Sequence, residues 1–361
     1  MAFPRIAFIT GTLGLGGLET NLGYMVQALR AAGARFDILS MTRGEYWECR
    51  FRENGIPCHW VGNSQLVAPQ LMRMLQQLHR HPVDIVHAQN FWVNPYALAT
   101  ARILGIREIG TMRSQLAADL RNLPFWTSRY MLARLRLISV NSRATIREAT
   151  NFGVPPAHLT YFPNAVDTGR FVPPRVRSSS PMVVLTVGRL VASKRHDRFL
   201  RVLARVATLT RTPFRAMIVG SGSQKMELVA LATRLGLYPG TVDFVPANPD
   251  VLSFYQQAHI FVLTSDFEGT PNAMLEALAC GLPVVATKVG DVTECIKDSE
   301  EGYVVEADQE ELAAQRLCEL MEKPELRRSM GSRGRERVVQ QFGLSRLPAQ
   351  LEELYRKRVE M

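Results

Sequence analysis

Two carboxylates, Glu268 and Glu276, stand with seven residues between them in the stretch SDFEGTPNAMLE. The apolar run Ile260 to Thr264 precedes this stretch and an apolar helical pattern follows it, so it reads as strand, loop and helix. Thr270 suits the cap of that helix and Pro271 its first turn, which would aim free backbone N–H groups into the loop that holds Glu268. A helix start of that polarity favours an anion. The two acids are therefore either set beside an anion site or are simply a loop acid and a helix-surface acid in water. A second pair bears on the choice. Arg189 and Lys194, in GRLVASK, follow the apolar run VVLTV, and five residues apart in one loop they could grip a diphosphate from two sides. Arg would supply a bidentate fork and Lys a point charge.

The elements that must position these groups are short apolar runs alternating with helical patterns. RIAFIT empties into GTLGLGGLE, whose glycines include Gly16 and Gly17, before a helix marked by Leu22, Met25, Val26 and Leu29. A phosphate-side loop fits there. The spacing is not that of a dinucleotide fingerprint, and the next strand, FDILSM, leads to Thr42 and Arg43 where an acid would be expected. His87, in PVDIVHAQN, and Arg113, in IREIGTMRS, both fall at strand ends, where open α/β sheets bind ligands. Either could equally be an ordinary hydrogen-bonded residue.

At 361 residues the chain exceeds a single core, so two domains are expected. VPPRVRSSSP, from Val172 to Pro181, is the linker, and the βα alternation restarts beyond it. The expected division is 1–172, a linker at 173–181, a second domain at 182–342, and a closing helix at 343–361 that packs back on the first domain. Both domains read as parallel, doubly wound α/β units. No run approaches a membrane span, and Met1 to Thr10 reads as a first strand rather than a leader. Five cysteines without a C-x-x-C pair fit free thiols in a reducing cytoplasm better than a metal site.

Charge is uneven. Residues 1–177 carry 20 Arg, no Lys and 10 acidic residues, so the whole excess of +10 lies in the first half. That asymmetry suggests an acidic partner: an anionic membrane surface, a phosphorylated acceptor or nucleic acid. Between Arg113 and Arg147 the residues Arg121, Arg129, Arg134, Arg136 and Arg143 alternate with Leu123, Phe125, Trp126, Tyr130, Met131 and Leu132. This is either an interfacial helix for anionic lipid or a solvated helix whose Phe and Trp belong to the core.

Taken together, GGLE, FPNAVD, VGRLVASK, SDFEGTPNAMLEALACGLPVVAT and GDVTE resemble, in order and over nearly the whole chain, the retaining glycosyltransferases of family 4. The resemblance implies a GT-B fold, two Rossmann-like domains facing each other across a cleft. It implies that Arg189 and Lys194 hold the donor diphosphate, that Glu268 contacts the transferred sugar near the reacting carbon, and that Glu276 contacts the ribose. The loop Gly269, Thr270, Pro271 and Asn272 would meet sugar and phosphate, Gly16 and Gly17 would close over the diphosphate, and the base would pack near Val245. His87 and Arg113 would serve catalysis from the first domain, although Arg113 stands where relatives carry a His and cannot act as a base. GDVTE also departs from the commoner G-G-x-x-E.

These expectations describe a retaining transferase that takes a nucleotide sugar, UDP-linked, to a sugar or lipid-linked acceptor in polysaccharide or glycoconjugate assembly. It would work in the cytoplasm, peripherally on the membrane through the Arg-rich domain. No cofactor or metal is expected, since Arg189, Lys194 and the helix start suit the charge of the leaving group and no D-x-D pair occurs. Nucleic acid is not an expected partner. A nucleotide-sugar epimerase and a non-catalytic sugar-nucleotide sensor remain as alternatives.

Overall fold

Apolar runs too short for helices become strands when helices cover both faces of the sheet they build. In the computed structural model, which describes residues 3–62, 67–120, 124–177 and 180–361, they form two parallel sheets. In the first unit, β1 (Ile6–Thr10), β2 (Phe36–Ser40), β3 (Cys58–Trp60), β4 (Ile85–Ala88), β5 (Arg107–Met112), β6 (Ile138–Val140) and β7 (Leu159–Tyr161) pair in the order β3-β2-β1-β4-β5-β6-β7. In the second, β8 (Met182–Val187), β9 (Phe214–Val219), β10 (Val242–Val245), β11 (Ile260–Leu263), β12 (Val284–Thr287) and β13 (Gly302–Val305) pair as β10-β9-β8-β11-β12-β13. Strand order reverses between β1 and β4 and again between β8 and β11. The carboxyl ends of those two pairs are where doubly wound sheets open a crevice for ligands.

Both faces of the second sheet are dry. Val184 on β8 packs into a layer with Phe199, Val202, Leu203 and Val206 of the helix His196–Leu209. Its neighbour Leu185 points the other way, into a layer with Met274, Leu275 and Leu278 of the helix Asn272–Ala279. The i, i+3, i+4, i+7 spacing of the first helix and the period-2 alternation of the strand meet there. Each such fully buried side chain contributes about 1.5–3 kcal/mol of transfer free energy.

The chain divides into one unit of Met1–Ala165 with Leu344–Met361 and another of Val166–Gly343. The first break comes before the Pro-Ser-Arg stretch expected to be the linker. Val166 and Phe171 are buried in the second unit's core, with Phe171 edge-on to Tyr255 at 5.9 Å. Ser178 and Ser179 of that stretch lie outside the described residues. The last helix, Leu347–Glu360, belongs to the first unit: Leu351, Leu354 and Tyr355 enter its core, and Arg358 pairs with buried Glu108 at 2.8 Å.

The Arg-rich region holds the helix Phe125–Arg134, which buries Ser128, Met131 and Leu132. Phe125, Trp126 and Tyr130 are 51%, 77% and 58% exposed. The reading that put Phe125 and Trp126 in the core is therefore corrected, because the helix already fills its buried face with three other residues. Arg121 and Leu123 lie outside the described residues. Among the described residues no helix is long and apolar enough to cross a membrane, and the five cysteines are free.

Candidate functional site

In the second unit the loops leaving β8 and β11 are bound to each other at the point where strand order reverses. The β8 loop is fixed from below by Gly188 and Leu190, whose N–H groups donate to Val219 and Ser221 carbonyls at 3.0 and 2.9 Å. A Cβ on Gly220 or Gly222 would overlap the carbonyl oxygens of Gly188 and Leu190, so the β9 loop approaches as closely as backbone permits. His196 Nε2 donates to the Arg189 carbonyl at 3.2 Å. Burial lowers this imidazole to about 4, so it is neutral near pH 7. Arg189 itself is exposed, and its guanidinium has no hydrogen bond or ion pair among the described residues.

Lys194 reaches across to the β11 loop. Its Nζ lies 2.6 Å from Glu268 Oε1, and Ser265 Oγ donates to the same oxygen at 2.7 Å. Glu268 is 8% exposed, so the lysine supplies the counter-charge that such burial requires. Asp266 ties the loops further: its N–H donates to the Ser193 carbonyl at 2.9 Å and its carboxylate receives Arg195 at 3.0 Å and Arg198 at 2.8 Å. Lys194 keeps two ammonium N–H donors beyond the one given to Glu268. Arg189 and Lys194 thus stand on one loop, with Glu268 held against Lys194.

The helix after this loop begins at Asn272, with Pro271 in the cap position and no side-chain cap bond. This corrects the expected cap at Thr270 by one residue; Thr270 lies buried in the loop just before the cap. Gly290 supports the same loop from β12. It has φ +51°, a Cβ there would overlap the carbonyl oxygens of Glu268 and Gly269, and Asp291 N–H donates to Gly269 at 3.0 Å. Thr287 Oγ1 donates to the Ser265 carbonyl at 2.7 Å. Val245, at the end of β10, is half-buried and receives Gly220 N–H at 2.9 Å.

Glu276 sits one turn into the helix. The Tyr255 hydroxyl donates to its Oε2 at 2.7 Å, and Tyr255 is fully buried. Burial raises the Glu276 carboxyl from 4.5 to about 7, more than the Tyr255 bond and the Arg170 charge pull it back. The retained proton contributes stability that is full below pH 4.5 and lost as pH rises through about 7. Where the carboxylate accepts hydroxyls of a bound ligand, affinity should rise across the same interval. Calorimetry with a nucleotide sugar, whose diphosphate diester does not titrate there, should give a Kd that tightens from pH 6 to pH 8 by several fold for the wild type and stays flat for Glu276→Gln. A pH-independent wild-type Kd would place Glu276 outside the contact.

The first unit repeats the architecture at β1 and β4. Gly11 N–H donates to Asn90 Oδ1 at 2.9 Å, joining the two strand ends, and a Cβ on Gly11 would overlap the Trp92 ring. Glu45 clamps the glycine-rich loop, accepting from Thr12 Oγ1 at 2.9 Å and Leu13 N–H at 2.5 Å. Gly16 occupies the cap position, in extended backbone, of the helix Gly17–Ala31 that Gly17 opens. Arg113 is half-buried, its Nη1 donating to the Phe162 carbonyl at 3.3 Å and its guanidinium 5.4 Å from the Phe162 ring, and burial lowers it to about 10.

His87 is placed differently from the catalytic position expected of it. Its ring is 0% exposed, with Nδ1 3.0 Å from Tyr355 Oη and Nε2 3.3 Å from Ser139 Oγ. Burial drives its basicity well below the usual value, with the Arg113 charge adding to the effect. A ring with both nitrogens engaged inside the sheet braces β4 against the last helix.

Sequence reasoning held Ser265, Asp266 and Gly290 only inside quoted motifs, without roles of their own, and passed over Tyr255 and the G-S-G turn at 220–222. The G-S-G turn was the most legible of these, because it follows the apolar run AMIVG at a strand end. Tyr255 carries no local signal, since its role depends on a partner 21 residues away.

Two family descriptions match the chain: Glycosyltransferase Family 4 over residues 15–170 and Glycosyl transferases group 1 over residues 172–337. The D-inositol 3-phosphate glycosyltransferase of Acidothermus cellulolyticus is 36% identical over 172 residues, 43% of this chain and 38% of that protein. A phosphatidylinositol N-acetylglucosaminyltransferase subunit of Arabidopsis thaliana is 27% identical over 299 residues, 78% of this chain and 66% of that one. The chain spans about half the length of the curated relatives it matches. In fold it is similar to Anabaena HepE in complex with UDP-glucose, with TM-score 0.84, 19% identity, and 97% and 98% of the two chains covered.

Proposed function

The chain belongs to the group 1 glycosyltransferases with a family 4 amino-terminal unit and the GT-B fold, and from that membership we propose that it transfers a sugar from a nucleoside diphosphate sugar, with retention of configuration, to a sugar or lipid-linked acceptor. The observation that carries this reading is the Lys194–Glu268 pair at 2.6 Å, held at the reversal point of the second sheet beside Arg189, which is unpaired among the described residues. Breaking the bond from sugar to phosphate leaves negative charge on the diphosphate and positive charge at the anomeric carbon. Arg189, the two remaining donors of Lys194 and the backbone of Gly269 to Asn272 meet the first, and the Glu268 carboxylate faces the second. Glu276 takes the ribose hydroxyls, and Val245 borders the base.

A uridine nucleotide is supported by neighbours of the same fold solved with UDP or UDP-glucose. Relatives named for phosphatidylinositol and diphospho-undecaprenol acceptors support a lipid-linked one. Peripheral attachment to an anionic membrane belongs to the same reading. It is supported by Phe125, Trp126 and Tyr130, which stand exposed beside Arg129 and Arg134. Metal independence also belongs to it, because Arg189 and Lys194 supply the charge a metal would bring.

The test is product analysis by NMR in EDTA, with and without acceptor, alongside flotation on vesicles of graded anionic content. Acceptor-dependent release of nucleoside diphosphate with a retained anomer is expected. Acceptor-free isomerisation of the donor would show an epimerase, donor binding without turnover a sensor, and rescue by magnesium a metal enzyme. Flotation that ignores anionic lipid would remove the membrane part alone.

A further inference from the structure

Arg43 follows β2 and Trp60 ends β3, at the carboxyl edge of the first sheet; Arg73 lies in the helix Val67–Arg80. The Arg43 guanidinium carbon stands 4.7 Å from the Trp60 ring centroid and that of Arg73 stands 5.2 Å from it. All three side chains are exposed, Trp60 at 39%. Among the described residues neither guanidinium has a hydrogen bond or an ion pair. Four arginines of the second unit show the opposite arrangement, Arg195 and Arg198 being neutralised by Asp266 and Arg201 and Arg205 by Glu310. Two guanidiniums held near one ring concentrate positive charge there, and an anion bound beside the ring would relieve that cost.

A cation–π contact engages the charge of a guanidinium and consumes none of its N–H donors, so Trp60 holds both arginines near it with their donors unspent. Gly62 makes room for this arrangement. It has φ +98°, and a Cβ there would overlap Arg73 Nη1. Thr42, which precedes Arg43, is tied to the glycine-rich loop, its Oγ1 donating at 2.5 Å to Glu45, the carboxylate that clamps Thr12 and Leu13.

From this arrangement we infer that Arg43, Trp60 and Arg73 form a subsite for a phosphate or diphosphate group carried by the acceptor, with Trp60 as the positioning residue. It rests on the transferase reading for what becomes of the ligand, whereas binding itself requires no transfer.

The test uses the full chain carrying Arg189→Ala and Lys194→Ala, which removes the donor grip, titrated with inorganic diphosphate by calorimetry. Adding Arg43→Gln and Arg73→Gln should weaken that binding by roughly 10- to 100-fold, the scale of losing charge-assisted hydrogen bonds. Trp60→Phe should retain binding and Trp60→Leu should weaken it several fold, with unchanged thermal stability showing that the fold is intact. A parallel arm uses vesicles of equal parts phosphatidylcholine and phosphatidic acid. Vesicle binding that falls with the two arginines assigns the phosphate to a lipid headgroup, and loss confined to diphosphate assigns it to a soluble ester. Equal binding of both probes with and without the two arginines overturns the subsite. Absent sugar transfer with intact, arginine-dependent diphosphate binding would instead overturn the transferase reading.

Discussion

Glu268→Gln should lower turnover by about 100- to 1000-fold, the scale of losing one preorganised electrostatic contact to a transition state, while donor affinity holds or improves. The asymmetry follows from the site. In the free protein Glu268 takes one donor of Lys194 and one of Ser265. An amide keeps the shape and the Ser265 contact but releases the lysine's charge to the diphosphate, so ground-state binding has no reason to fall. On the proposed reading, what disappears is the negative charge facing the anomeric carbon, which matters only as positive charge develops there. Steady-state kinetics with a calorimetric Kd separate the two effects. A Kd that rises in step with the loss of kcat would show that Glu268 serves binding, and that catalytic and binding roles have been divided wrongly.

Gly290→Ala should be nearly as damaging although it removes no functional group. The added methyl would overlap two carbonyl oxygens, those of Glu268 and Gly269, and neither can withdraw without moving the loop. The residue also sits at φ +51°, where an L side chain costs about 1–2 kcal/mol. Gly33→Ala separates these contributions. It lies at φ +72° with nothing within 4 Å of its Cβ, so it carries the backbone cost alone. Thermal melts should show both variants less stable, with only Gly290→Ala losing turnover, by roughly 100-fold for a displacement near 1 Å. Equal activity of the two would mean that the Gly290 contact does not position Glu268.

Much of the second unit was legible because its signals are local. Strand, loop and helix could be read from SDFEGTPNAMLE and GRLVASK alone, and a doubly wound sheet follows from their alternation. The Lys194–Glu268 pair was not legible, since 74 residues separate its members and only the adjacency of β8 and β11 brings them together. The helix start was read one residue early because Thr-Pro satisfies the local preferences at either register. His87 was open in the other direction, readable as a catalytic or as an ordinary hydrogen-bonded residue. A histidine at a strand end suggests chemistry, yet its burial is decided by Tyr355 from the far end of the chain. The exposed aromatics of Phe125–Arg134 were ambiguous for a similar reason: periodicity places them on one face without saying whether anything covers it.

Titration of UDP into the wild type and into Lys194→Ala asks whether the joined loops after β8 and β11 bind a nucleoside diphosphate. The expected result is saturable 1:1 binding by the wild type and a Kd weaker by about 10- to 100-fold in the variant, the scale of one lost charge-assisted contact. Binding of equal strength in both, or none to the wild type, would contradict it.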